Sequence, residues 1–303
     1  MAVLPRSQAG DVRGAGRALR SFGAFCFVFV TAIGCGRTEQ VSRINDVEIV
    51  ASDYAFQAPQ QLPAGRTTFR FTNNGKQRHE LNITRLKKGV STEQMLSAIR
   101  ADQSVKSLTE GSVGVLFAEP GGTSSSGLTV DLMPGQSYAV ICIFRDSAGA
   151  KPHYDLGMST MITVNDGKAV AAASQAATDT IIATDYAYQY PRTLAPGRHT
   201  FWMRNEGKQR HELSFSLLKK GVTLARLLEV EKSGASVDSL FDGDLGLLHA
   251  RGGEAPVGNL TFDMLPDREY VIACFFQDDE KSPEHYKLGM FGSIRTPGAA
   301  TKQ

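Results

Sequence analysis

Apolar residues along this chain fall into short alternating or continuous runs, separated by turns that carry Gly, Pro and Asn. That is a pattern of strands rather than of long helices. Thr67–Phe71 (TTFRF), Leu128–Leu132 (LTVDL) and Tyr138–Phe144 (YAVICIF) are rich in β-branched and aromatic side chains. One segment departs from the pattern. Thr92–Ala101 (TEQMLSAIRA) follows Ser91, and Gln94 stands three residues after that serine, the two ends of a capping box. Its counterpart Leu224–Lys232 places Leu224, Leu227 and Leu228 on one helical face. The expectation is an all-β protein: sandwiches of short strands, each with one short helical insert.

Everything after about residue 46 occurs twice. DYAFQ at Asp53–Gln57 returns as DYAYQ at Asp185–Gln189, and NNGKQRHEL at Asn73–Leu81 returns as NEGKQRHEL at Asn205–Leu213. Between Val50–Val90 and Ile182–Val222, 24 of 41 positions are identical at a constant offset of 132. The predicted organisation is a first domain at 46–165, a small-residue polar linker at 166–179 and a second domain at 180–296. Each half has an ordinary domain length, so each is expected to fold alone.

Composition narrows the classes. With 42% hydrophobic and 21% charged residues the chain is neither a disordered tail nor a coiled coil. Arg6, Arg13, Arg17 and Arg20 against Asp11 give residues 1–34 a charge of +3, so removing that segment turns the overall +2 into −1. Such a near-neutral protein has no global electrostatic basis for binding nucleic acid. The apolar run Phe22–Ile33 is too short for a spanning helix, which needs about 20 residues, but it suits a secretory signal. It ends at Ala32-Ile33-Gly34-Cys35, which resembles a bacterial lipobox. The reading is therefore a signal peptide at 1–34, lipidation at Cys35, and an exported protein held by lipid in the cell envelope, on the periplasmic or outer-surface side.

The duplication filters the few reactive residues. His79 pairs with His211, Cys142 with Cys274, His153 with His285 and Met158 with Met290, each at the offset of 132. His199 and His249 face Thr67 and Phe117 in the other copy and read as surface or packing residues. After export, one cysteine per copy remains besides Cys35. Each ends an apolar strand, so a buried structural cysteine is one reading. A disulfide between equivalent positions of two separate sandwiches is awkward, because it needs Cα atoms within about 7 Å. The other reading is a metal site. A thiolate, two imidazoles and a thioether form the His₂Cys set with a weak axial Met that suits copper, whereas zinc usually takes a fourth strong ligand.

These pieces together resemble the cupredoxins, the type 1 blue copper proteins. The resemblance rests on GKQRHEL, on LMPGQSYAVIC and MLPDREYVIAC, and on PHYDLGM and EHYKLGM. It covers 48–164 and 180–296, apart from a helical insert near 91–127. It implies two tandem Greek-key β-sandwich domains, one copper in each, and single-electron exchange with a redox protein partner in the envelope, the chain itself being a monomer. The implied metal ligands are His79, Cys142, His153 and Met158 in one site and His211, Cys274, His285 and Met290 in the other. Two features depart from the small electron-transfer members. The Cys-to-His gap is ten residues, and Glu80 or Glu212 follows the first His where Asn is usual. A multicopper oxidase or copper nitrite reductase needs further histidines, and only His199 and His249 remain. The alternative to an electron carrier is a metal-free or copper-carrying binding module of the same fold.

Stable membrane attachment needs more than one acyl chain, which lipidation at Cys35 would supply. Cys35→Ser is therefore expected to move the exported protein from the membrane to the soluble fraction. Wild-type protein that fractionates as soluble and carries no fatty acid would exclude the anchor.

Overall fold

The computed structural model describes residues 45–167, 177–279 and 281–298. The signal segment and Cys35 lie outside the described residues. The first copy forms β1 (Asn45–Ser52), β2 (Ala55–Gln57), β3 (Gln61–Leu62), β4 (Gly65–Asn73), β5 (His79–Leu86), β6 (Thr109–Ala118), β7 (Ser126–Leu132), β8 (Ser137–Ile141) and β9 (Ser159–Val164). The second forms β10 (Asp179–Thr184), β11 (Ala187–Gln189), β12 (Gly197–Asn205), β13 (His211–Leu218), β14 (Phe241–Ala250), β15 (Gly258–Met264), β16 (Arg268–Ala273) and β17 (Phe291–Thr296). Asp179, expected in the linker, opens β10 and binds His199 at 2.7 Å.

The strands make two sheets, as the alternating pattern predicts. One runs β11-β10-β12-β15-β7-β4-β1-β2 and the other β17-β16-β13-β14-β6-β5-β8-β9-β3. Successive strands β4 to β5, β6 to β7 and β7 to β8 change sheets, which is Greek-key connectivity. Alternate residues of each strand turn inward: Phe69 and Phe71 from β4, Leu81 and Ile83 from β5, and Phe201 and Phe215 from the second copy are fully buried. The buried ring of Tyr138 keeps its hydroxyl satisfied by accepting the Met133 N–H, and Tyr270 does the same with Leu265.

The two copies are not separate sandwiches set end to end. β6 pairs with β14 and β7 with β15, so both sheets run through the repeat boundary and one core cluster holds side chains from both halves. In the pairs Val115–Leu247 and Leu128–Leu260, each residue meets its own repeat counterpart 132 positions on. That register defines a local twofold through both seams, the relation of a symmetric dimer joined into one chain. The backbones approach closely there. Gly246 has φ +136°, and a Cβ on it would lie 2.7 Å from the Val115 carbonyl oxygen. Arg78 also crosses the seam to Asp244, at 2.5 Å.

The helix α1 (Thr92–Arg100) carries the expected capping box: Gln94 N–H donates to the Ser91 hydroxyl, and Ser91 N–H to the Gln94 side chain. It buries Met95 and Leu96 against Ala139, Ile141 and Tyr154. Its counterpart α2 (Leu224–Lys232) buries only Leu227. The expected helical insert near 91–127 is corrected here. Apart from α1 and a 3₁₀ turn at Val105–Ser107, the ordered structure in that stretch is strand, and β6 is the strand that builds the seam. Gly111 and Gly114 interrupt its apolar alternation and obscure it in the sequence.

The shared sheets change the expectation for isolated halves. Residues 46–165 alone would leave β6 and β7 as open edges, which are templates for further pairing. That fragment is expected to dimerise or aggregate, with Val115 facing Val115. A stable monomer by light scattering would show that the seam is dispensable.

Candidate metal centre

The end of β8 delivers Cys142 to one end of the first sandwich, where the start of β5 places His79. The ten-residue gap before His153 does not loosen this arrangement, because backbone bonds pinch it off. His153 N–H donates to the Phe144 carbonyl at 2.9 Å and Tyr154 N–H to the Cys142 carbonyl at 2.9 Å. Cys142 N–H reaches the Met158 carbonyl at 3.2 Å and Met158 N–H the His153 carbonyl at 3.0 Å. The extra residues 145–152 form an excursion closed at its neck, and the second copy repeats all four bonds.

His79 Nδ1 and His153 Nδ1 lie 3.0 Å apart, and Cys142 Sγ lies 3.4 Å from the second and 4.0 Å from the first. The corresponding separations among His211, His285 and Cys274 are 3.0, 3.5 and 4.0 Å. Three N and S donors about 2.0–2.3 Å from a shared trigonal centre would stand roughly 3.5–4 Å apart. The observed triangles fit a single ion after a small adjustment. All eight side chains of the two expected ligand sets, Met158 and Met290 included, are 0% exposed. Each thioether is buried in the core cluster that also holds its cysteine.

Three of the four imidazoles are held from behind by a carboxylate hydrogen bond. Asp53 Oδ1 lies 2.9 Å from His79 Nε2, and Asp146 Oδ1 lies 2.9 Å from His153 Nε2. In the second copy Asp185 stands 3.2 Å from His211 Nε2, whereas Asp278 comes within 3.2 Å of His285 Nε2 without completing a hydrogen bond. A carboxylate at Nε2 fixes the proton there and turns the Nδ1 lone pair inward, as in carboxylate–histidine–metal triads. Two such lone pairs 3.0 Å apart repel each other, and a cation bound by both removes that repulsion. Tyr54 caps the assembly: its hydroxyl donates to Asp146 Oδ2 at 2.7 Å and its ring meets His153 edge-on at 4.8 Å. Tyr186 does the same with Asp278 and His285. The tyrosines after the second histidines lie elsewhere; Tyr154 packs under α1.

The electrostatics follow from burial. Burial pushes the Cys142 thiol up to about 12 and that of Cys274 up to about 11, while the Glu80 and Glu212 N–H groups donate to the two sulfurs at 3.3 and 3.2 Å. Burial lowers His79 and His211, leaving them neutral and able to act as ligands. Burial opposes ionisation of Asp53, but the Lys76 N–H, His79 and the Gln77 N–H outweigh it and hold the carboxyl below its usual range. The Glu80 side chain is driven up to about 7 by burial, so this residue beside the first His is not an ordinary surface acid.

His199 and His249 join neither cluster; the first binds Asp179 and the Ala195 carbonyl, the second meets Arg210. The sequence reading missed Asp53, Asp146 and Tyr54 with their counterparts Asp185, Asp278 and Tyr186. The signal was present, since all three pairs obey the 132-residue offset. The glycine of GKQR is also explained. A Cβ on Gly75 or Gly207 would lie 2.3 Å from the Asp53 or Asp185 carboxylate that grips the following N–H groups.

No protein-family model matches this chain, and no curated protein matches it. Among solved structures it is similar to dithionite-reduced auracyanin from Roseiflexus castenholzii, at 21% identity and a TM-score of 0.28, over 41% of this chain and 98% of that one. Auracyanin A, a "blue" copper protein from Chloroflexus aurantiacus, is 24% identical over 40% of this chain and 98% of its own, with a TM-score of 0.26. A multicopper oxidase is 13% identical over 84% of this chain and 89% of its own, with a TM-score of 0.24.

Proposed function

We propose that this chain is an exported, lipid-anchored copper protein of cupredoxin type, with one type 1 site per copy, that passes single electrons between protein partners in the cell envelope. The observation that carries the reading is the buried His₂Cys triangle, present twice with separations that agree to 0.1 Å and a buried methionine in the same loop. Bound copper would supply a one-electron couple. The protein's part is to hold donors suited to both oxidation states: thiolate and thioether favour Cu(I), imidazoles accommodate Cu(II). Asp53 and Asp146 keep the rings from turning, the neck at Phe144–His153 keeps the loop from opening, and burial excludes water. We read the chain as a carrier rather than an oxidase because His199 and His249 are engaged at other places. Complete burial of every ligand favours a second reading, a copper-holding module.

The copper-treated mature protein is expected to bind one ion per copy and to absorb strongly in the visible through thiolate-to-copper charge transfer. Cys142→Ser and Cys274→Ser should each remove about half the colour. A colourless protein that binds copper supports the holding module, and one with two freely titrating thiols after copper treatment overturns both readings.

The carboxylates behind the rings give a separate test. Loss of such a partner typically costs 10–100-fold in metal affinity. Asp146→Ala is expected to weaken the first site by about that factor and to leave the second unchanged, with Asp185→Ala doing the reverse, as read by competition with a copper chelator. Equal affinities in all variants would show that the loop neck alone orients the histidines.

A further inference from the structure

The local twofold creates two equivalent clefts on the outer face of the nine-stranded sheet. Each lies between the helix of one copy and the arginine before the first histidine of the other. Their charges have diverged. Under α2, Arg78 enters from the first copy and is neutralised by Asp244 at 2.5 Å and Glu119 at 3.3 Å. Under α1, Arg210 takes the place of Arg78, but both carboxylates are gone. Ser112 stands at the position equivalent to Asp244, and Arg251 at the position equivalent to Glu119.

This second cleft has a volume of about 280 Å³. Arg210 donates to His249 Nδ1 at 3.1 Å and lies 5.1 Å over the Phe276 ring, and among the described residues no carboxylate stands within ion-pairing distance of it. Burial, together with the flanking guanidinium groups of Arg210 and Arg251, holds His249 well below its ordinary value, so its Nδ1 accepts that proton as a neutral ring. Arg251 donates to Thr109 at 2.8 Å and pairs with Glu254 at 3.5 Å, the carboxylate at the rim of this cleft. Ser112, 5% exposed and lining the cleft, has a hydroxyl without a hydrogen-bond partner. The opposite wall is apolar: Met95, Ile99, Val105, Ile141 and Ile143. The adjoining surface carries Lys87 and Lys106 beside Glu110, which is paired with Arg85, and Glu254.

We propose that this cleft binds a small organic anion, a carboxylate with a short apolar tail. The head would lie between Arg210 and Arg251 with the Ser112 hydroxyl donating to it, because planar guanidinium groups suit carboxylates and a buried unpaired hydroxyl lacks an acceptor. The tail would lie along Met95, Ile99 and Ile141, and a cleft of about 280 Å³ limits the ligand to roughly the size of a medium-chain acid. No side chain of either His–Cys cluster takes part.

The test is calorimetric titration of the full mature chain with octanoate, acetate and octanol. Octanoate is expected to bind saturably, with Kd below about 1 mM, and acetate and octanol at least tenfold more weakly. Arg210→Gln should weaken octanoate at least tenfold. So should Ser112→Asp, which restores the neutralised arrangement of the other cleft. Arg78→Gln should leave it unchanged. If Ser112→Asp fails to fold, Arg210→Gln decides, since that side chain is exposed. Non-saturable octanoate binding, binding indifferent to Arg210→Gln, or octanol binding as tightly as octanoate would each overturn the proposal. Acetate binding as tightly as octanoate would overturn the apolar tail.

Discussion

The carboxylate of Asp53, with its repeat Asp185, is the interaction on which each centre depends. Its oxygens accept the Lys76 and Gln77 N–H groups and face His79 Nε2, so one side chain closes the turn between β4 and β5 and sets the first imidazole. Hydrogen bonds to a charged group contribute about 1.5–3 kcal/mol each, more than a solvated turn supplies for itself. The grip requires the backbone to approach within contact distance, and the missing Cβ of Gly75 allows it. The basic turn Gly75–Arg78 is therefore both the link between the two sheets and the rear support of the site. Only Lys76 and Gln77 of the turn face solvent; Arg78 leaves it to cross the seam.

The seam imposes a second constraint. Pairing each edge strand with its own counterpart removes the open edges that a lone sandwich would carry. It also places every residue near the boundary in two related but distinct settings, once relative to each copy. Symmetric positions were then free to differ. Asp244 and Glu119 neutralise one crossing arginine, whereas Ser112 and Arg251 at the equivalent positions leave the other without an ion pair among the described residues. The helices differ likewise. Ile99 corresponds to Glu231 and Ile141 to Ala273, so α1 packs down while α2 stands over a larger cavity of about 520 Å³.

Much of this was legible in the sequence because it is local. The capping box at Ser91 and Gln94, the alternating runs of β4 and β7 and the constant offset of the four ligand types require no knowledge of distant contacts. The seam was not legible. Strand pairing between copies is set by register across more than a hundred residues, and β6 carries glycines that dilute its pattern. Asp146 and Tyr54 escaped for another reason. Acidic and aromatic residues are common, so their repetition draws less notice than that of cysteine or histidine, although all of them recur at the same interval. The ten-residue gap before His153 read only as a departure from the small electron-transfer members, because the bond from His153 to Phe144 that closes it is invisible without coordinates.

Burial also bears on which ions the clusters can hold. A thiol pushed up to about 12 keeps its proton at neutral pH, so any ion bound at Cys142 must outcompete that proton. Hard cations such as Mg²⁺ and Ca²⁺ prefer oxygen donors and gain little from thiolate or thioether sulfur. The carboxylates near the rings are turned to the Nε2 side, away from the Nδ1–Sγ triangle, so they offer no oxygen to such ions. A soft or borderline ion that binds thiolate strongly and accepts two imidazoles can pay the deprotonation cost, and copper lies at the top of that affinity order. The same burial that disfavours a free thiolate thus narrows the ions the cluster can hold, with the orientation of Asp53 and Asp146 completing the selection.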